Sequence, residues 1–359
     1  KAKILVDEGK FTEAEEILTS KFKELDQNGS KKASAVVAYA IGLVQNLQLK
    51  YQESILWFGE AVSKNSSDTE YLLYYGNQLQ RIAQYDSAIK YLQIALHLDS
   101  MSYGTDSLGT YYNNLGSAYD SKGDYGRAIE LYEKALAIDT TVYGLQHPTV
   151  ATQYNNLGSA YKALGAYGRA IAYFRKALII FESFLPPLHP NLRVVRQNLS
   201  RPANAYGMQF YQEQKWDRAG HYFQMGLSAT LAAGDSSFAV TCLNNLGSSQ
   251  KHMERHDSAQ YHLEWGIDLA ERLDARTMME VRQWPDSILN HPDFPAYLNQ
   301  SLLHTAVLRR LYFHKASTLW RMGRQKEATP IFKELWEGAL KREDERLIKE
   351  IKTEGYSYD

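Results

Sequence analysis

The sequence predicts an all-α protein built as a solenoid of stacked helix pairs, and three observations predict it. The heptapeptide "NNLGSAY" stands at Asn113–Tyr119 and again at Asn155–Tyr161, with a variant, "NNLGSSQ", at Asn244–Gln250. Segments related to one another recur every 34 to 42 residues over much of the chain, the period of arrays in which each unit is one supersecondary element. Within each copy, apolar and small residues fall at i, i+3, i+4 and i+7, one face of an α-helix. With only 9 prolines in 359 residues, long helices can run uninterrupted.

The register follows one small residue through the chain: Ala14, Ser54, Ala88, Ala128, Ala170, Ala219, Ala259 and Ala328. If Ala14 is in register, the first helix of its pair would begin before residue 1, so more protein is expected upstream. In the copy around Ala128, Tyr112, Leu115, Gly116 and Tyr119 form the stripe of a first helix. After the turn "SKGDYG", Ala128, Ile129, Tyr132, Ala135 and Leu136 form the facing stripe of a second. A glycine inside a helix costs about 1 kcal/mol against alanine. Glycines at 42, 76, 116, 158, 207 and 247 therefore imply close helix crossings. Pro148 and Pro190 suit the first turn of a helix, where the missing N–H loses nothing. Around Pro202 the two registers, one from the His-Pro pair and one from Ala219, disagree by seven residues. A broken or kinked helix is expected at Ser200–Pro202. Residues 271–308 repeat nothing. The expected organisation is thus a repeat array over 1–270, a helical and loop insertion over 271–308, and a last helix pair with a capping helix over 309–359.

Composition narrows the function. Net charge is −1, without the one-sided basic excess of a nucleic-acid binder. No apolar run is long enough to span a bilayer, and "KAKILVDEGK" does not read as a signal peptide. A single cysteine, Cys242, rules out an internal disulfide and a cysteine-based zinc cluster. A cytoplasmic protein is expected. No phosphate loop, nucleophile elbow or H-E-x-x-H motif is present. His252, His256 and His262 fall at a helix end, a turn and the next helix, so no metal site is assigned to them. Cys242 reads as a buried small side chain. No cofactor and no catalytic residue is expected.

These offsets, an aromatic or Leu, then Leu-Gly, Tyr, Ala, Phe or Tyr and Ala, resemble the tetratricopeptide repeat (TPR). The segments "YGLQHPTVATQYNNLG" (Tyr143–Gly158) and "PPLHPNLRVVRQNLS" (Pro187–Ser200) resemble the longer, 42-residue repeats of kinesin light chains and their bacterial relatives. The resemblance implies a right-handed superhelix of about eight repeats, its first helices lining a concave groove. With the register alanine as position 20, position 5 carries Asn113, Asn155, Asn204 and Asn244, and the next position Asn114, Asn156, Ala205 and Asn245. The resemblance implies that the position-5 amides clamp the main chain of an extended peptide. Their neighbours point about 100° away and are expected to bond between helices or cap turns. Positions 12 and 13 add Arg81, Lys162, Lys251, His252 and Arg321, interrupted by Asp120, and favour a partner with acidic groups. Tyr71, Tyr74 and Trp320 would line apolar pockets or the core.

The resemblance therefore implies a non-catalytic scaffold for a protein or peptide partner, with neither nucleic acid nor membrane contacted directly. A second reading is a regulatory arm of a larger bacterial protein, such as a caspase-like CHAT peptidase controlled by a CRISPR RNA-guided effector.

Overall fold

The computed structural model describes residues 2–101, 107–281, 304–341 and 344–356. Among them every regular element is an α-helix, and consecutive helices pack as antiparallel pairs. The pairs are α1 (Ala2–Asp7) with α2 (Phe11–Gln27), α3 (Lys31–Leu47) with α4 (Tyr51–Lys64), and α5 (Thr69–Arg81) with α6 (Tyr85–Ser100). Next come α7 (Leu108–Lys122) with α8 (Tyr125–Tyr143), α9 (Pro148–Ala163) with α10 (Tyr167–Phe184), and α11 (Pro190–Gln212) with α12 (Trp216–Ala233). The series ends with α13 (Ser236–His252) and α14 (His256–Val281), α15 (His304–Arg321) and α16 (Gln325–Lys341), and a short helix, α17 (Glu345–Thr353). Two compact units divide the chain, Lys1–Phe184 and Leu185–Asp359. Most of the sequence-predicted insertion, 282–303, lies outside the described residues; its first part extends α14.

The repeated glycines sit where first and second helices cross. A Cβ built on Gly158 would stand 2.7 Å from the Phe174 ring, and one on Gly247 would stand 2.6 Å from Leu263. Both partners are completely buried, so the space of the missing methyl is already filled by a ring or a branched side chain. The register alanines Ala88, Ala128, Ala170, Ala219, Ala259 and Ala328 are likewise fully enclosed. At the turn between paired helices the chain passes through left-handed backbone. Gly123 holds that conformation in one pair, whereas Leu49, Ala83, Gln214 and Glu254 adopt it in others.

The His-Pro pairs are helix starts. His147 and His189 are extended N-cap residues whose Nδ1 accepts from Thr149 N–H at 3.2 Å and Asn191 N–H at 3.1 Å. Proline follows where no intrahelical donor is needed.

Of the broken or kinked helix expected at Ser200–Pro202, the break is absent. α11 is a single helix of 23 residues running through Pro202, against 16 in α9. The seven additional residues are about two helical turns, so the His-Pro cap and the Gly207 crossing both stay in phase within one helix. A proline inside a helix costs about 3 kcal/mol. Here it is buried with Leu199 and Ala203 in a well-packed helix pair, and that packing outweighs the lost hydrogen bond.

Candidate functional site

The asparagines chosen from the register form bridges between neighbouring first helices. Asn156 Nδ2 donates to Asn113 Oδ1 at 2.8 Å, joining α9 to α7. Asn245 Nδ2 donates to Asn204 Oδ1 at 2.9 Å, joining α13 to α11. The second asparagine of a pair thus reaches back to position 5 of the preceding repeat. The position-5 residue is the acceptor and retains its own Nδ2 as a donor. The bridge to Asn245 also identifies Asn204 as the α11 member of the series. Asn244 Nδ2 donates to Asn245 Oδ1 at 3.1 Å, while Asn244 Oδ1 is buried without a partner. Asn155 is half-buried on α9. Asn114 donates to the Thr110 carbonyl of its own helix at 2.9 Å.

The basic positions divide by environment. Arg81 is exposed and lies over the Tyr51 ring, 4.7 Å from its centroid. Lys162, half-buried, attracts the Asp120 carboxylate. Burial raises the Asp120 pKa despite that attraction, and its Oδ1 has no hydrogen-bond partner. Beside it, Gln80 Nε2 donates to Ser117 Oγ and Ser121 Oγ, both at 2.8 Å, so α5 and α7 satisfy one another. Tyr71 is buried and Tyr74 packs against Tyr39 and Phe58, so these are core rings. Trp320 packs with Phe332 and Tyr356 in the same way.

Lys251 departs from the expectation of a residue open to a partner: it is 3 % exposed. Its Nζ donates to Ser317 Oγ on α15 at 3.0 Å and lies 3.5 Å from Glu354, just beyond α17. Arg321 reaches the same carboxylate at 3.4 Å, and Arg310 pairs with Glu350 of α17. The acidic group that the basic positions call for is thus supplied, at this place, by the chain itself. His252 does not join a metal cluster but stacks on Trp216, ring centroids 4.2 Å apart. His262 bonds to Gln250 and to its own helix. Among the described residues no group of three metal-ligating side chains converges.

A cavity of about 470 Å³ lies among α11, α13, α15 and α17 in the second unit. Tyr211, Asn244, Lys251, Arg310, His314 and Glu354 mark its walls. Local charge shows in the titrating groups. Burial, then Arg321 among the repelling cations, lowers the Lys251 pKa, although Glu354 opposes it. Burial, with Lys251 and Arg321, lowers His252. His314 falls well below an ordinary imidazole through burial, Lys251 and Arg310. For Glu354, burial acts upward, but Lys251, Ser317 and Arg321 together hold the carboxyl below its usual value. Burial is the first cause for all three bases, with the neighbouring cations adding to it, while the same cations favour the ionised Glu354. Arg310, His314, Glu350 and Glu354 escaped the sequence reading; the one available signal was the amphipathic, mixed-charge run "DERLIKEIKTEGY" (Asp344–Tyr356). Cys242 is fully buried beside Thr230, and burial pushes its thiol up to about 12, which leaves it unreactive.

The TPR family model, described as the tetratricopeptide repeat, matches residues 68–141 and 121–183. Residues 68–183 carry tetratricopeptide repeats. Solved TPR structures are similar to it at low identity. One is the set of nearly identical TPR-like repeats of a candidate kinesin light chain from Podosopora anserina: 18% identity, 57% of this chain and 96% of that one, TM-score 0.42. Another is BtubC (BKLC) from P. vanneervenii, at 22% identity, 70% and 92% coverage, TM-score 0.42. A third is YrrB, described as a TPR protein with an unusual peptide-binding site, at 22% identity, 59% and 91% coverage, TM-score 0.39. No curated protein matches the chain. Among the described residues no TPR helix is long and apolar enough to cross a membrane.

Proposed function

We propose that this chain is a protein-interaction scaffold whose first helices present a groove to a peptide or protein surface, with Asn113, Asn155, Asn204 and Asn244 contacting the partner's main chain. The observation that carries the reading is the pair of inter-repeat bridges, Asn156 to Asn113 and Asn245 to Asn204. They fix amides one repeat apart, so a main chain meets preorganised donors and acceptors rather than free rotors. Peptide recognition of this kind is independent of partner sequence, and side chains around the amides supply the preference. Arg81, Lys162 and the positive cavity of the second unit favour acidic partners.

The test is a pull-down with the full chain beside an Asn113→Ala/Asn155→Ala/Asn244→Ala variant of equal helicity. A partner held by the parent chain and lost by the variant supports the reading. An Asn156→Ala chain, which lacks a bridge but keeps position 5, is expected to bind with intermediate strength. Retention of the partner by the triple variant would remove the amides from the binding surface.

A further inference from the structure

α17 is attached to the second unit in two ways. Leu347 and Ile351, one turn apart, are buried with Phe313, Leu319, Phe332 and Trp336. Glu350 and Glu354, also one turn apart, meet Arg310 on α15, and Lys251 with Arg321. Arg346 adds a second cation to Glu350 at 3.1 Å. The surrounding helices thus offer three cations, Lys251, Arg310 and Arg321, to two carboxylates, Arg346 belonging to α17 itself. The cavity of about 470 Å³ remains along the polar side, where Asn244 Oδ1 and His314 Nδ1 are buried without partners. Buried polar atoms are ordinarily satisfied. The seat therefore has one cation more than the two carboxylates neutralise and polar atoms that α17 leaves without partners.

We propose that α17 is the chain's own occupant of a seat for amphipathic helices that present two carboxylates one turn apart, and that a partner helix of the same pattern exchanges with it. The pattern is two apolar residues one turn apart, with two carboxylates displaced three residues along. The partner's carboxylates take Arg310 and the Lys251–Arg321 pair, and its apolar residues enter the cluster that Leu347 and Ile351 leave. This deepens the groove reading above and rests on it for the choice of the first-helix face.

The probe is a fluorescent, isotope-labelled synthetic peptide of residues 344–356, titrated against three full-length chains: the parent, Glu350→Gln/Glu354→Gln, and that variant with Arg310→Gln added. Weakening the internal competitor frees the seat, so the double variant is expected to bind at least about tenfold more tightly than the parent. Arg310→Gln is expected to remove that gain. Equal binding by parent and double variant at unchanged helicity, or binding that survives Arg310→Gln, would overturn the proposal. Should the double variant lose helicity, hydrogen exchange on the parent decides. Saturating peptide accelerates exchange across residues 345–353 if α17 is displaced, and unchanged exchange refutes displacement. Asn244 lines this seat but Asn113 and Asn155 do not, so an Asn113→Ala/Asn155→Ala chain keeps the asparagine test separate from failure here. Success here with failure there would confine binding to the α17 seat.

Discussion

The face of α7 and α9 and the face of α11, α13 and α15 carry the same repeat register and differ in how charge is settled. Each has an asparagine bridge of nearly equal length, 2.8 and 2.9 Å. The difference lies at position 12, where the series reads Gln80, Asp120, Lys162, Tyr211, Lys251 and Trp320. In the first unit, Lys162 has Asp120 in the preceding repeat, and Gln80 has two serine hydroxyls. Adjacent first helices therefore complete one another. In the second unit Lys251 stands between Tyr211 and Trp320, with no acid at that position on either side. Its counter-charge comes from Glu354, 103 residues away. A repeat fixes which positions face the groove; whether those positions are self-sufficient depends on the sequence of charges from one repeat to the next.

The largest effect expected from breaking this contrast is at the two lysines. Lys251→Ala leaves the half-buried Glu354 with Arg321 alone and Ser317 without its donor, and removal of one partner of a buried pair costs up to about 3–5 kcal/mol. Lys162→Ala, on a half-open face, is expected to cost within about 0.5 kcal/mol. Denaturant unfolding of both variants reads the difference directly; equal losses would refute it.

Acid sharpens the same comparison. The His314 pKa is depressed in the folded chain below the 6.5 of a free imidazole. Its contribution to stability is therefore complete above pH 6.5 and is lost as pH falls toward the folded value. The unfolding temperature of the second unit is expected to drop between pH 7 and pH 5, with a slope of at most about 1.4 kcal/mol per pH unit. Tryptophan fluorescence follows it, since Trp216, Trp265, Trp320 and Trp336 all lie in that unit. His314→Gln is expected to flatten the profile, and an unchanged slope would assign the effect elsewhere.

The bridges should behave alike. Asn156→Ala and Asn245→Ala are each expected to cost about 1 kcal/mol, and a disparity beyond a factor of two would show that the two rungs are not equivalent. Smallest are the left-handed turn residues, one from each unit. Leu49→Gly and Gln214→Gly relieve positive φ angles of 60° and 58° and are expected to stabilise by about 0.5–1 kcal/mol, measurable as a small rise in unfolding temperature.

What could be read from the sequence was what the chain writes locally and repeatedly. The helix pairs, the Gly158 and Gly247 crossings and the burial of Ala128 or Cys242 follow from spacing. The bridging role of the second asparagine followed from its angular offset. The occupant of Lys251 was not legible, because Glu354 lies beyond the repeat register and pairing over such a separation leaves no periodic trace. Pro202 misled for a different reason: a local helix-breaking preference was outweighed by packing along a helix long enough to accommodate it.

That long helix has a consequence for how such an array changes length. An insertion of seven residues rotates the downstream face by only about 20°, so it acts as an in-phase edit, advancing the helix about 10.5 Å while every later side chain keeps its bearing. Lengthening by three or five residues would instead swing the asparagines off their line. Growth of a first helix by a whole double turn thus leaves the neighbouring repeat its contacts, and the 23 residues of α11 stand in this relation to the 16 of α9.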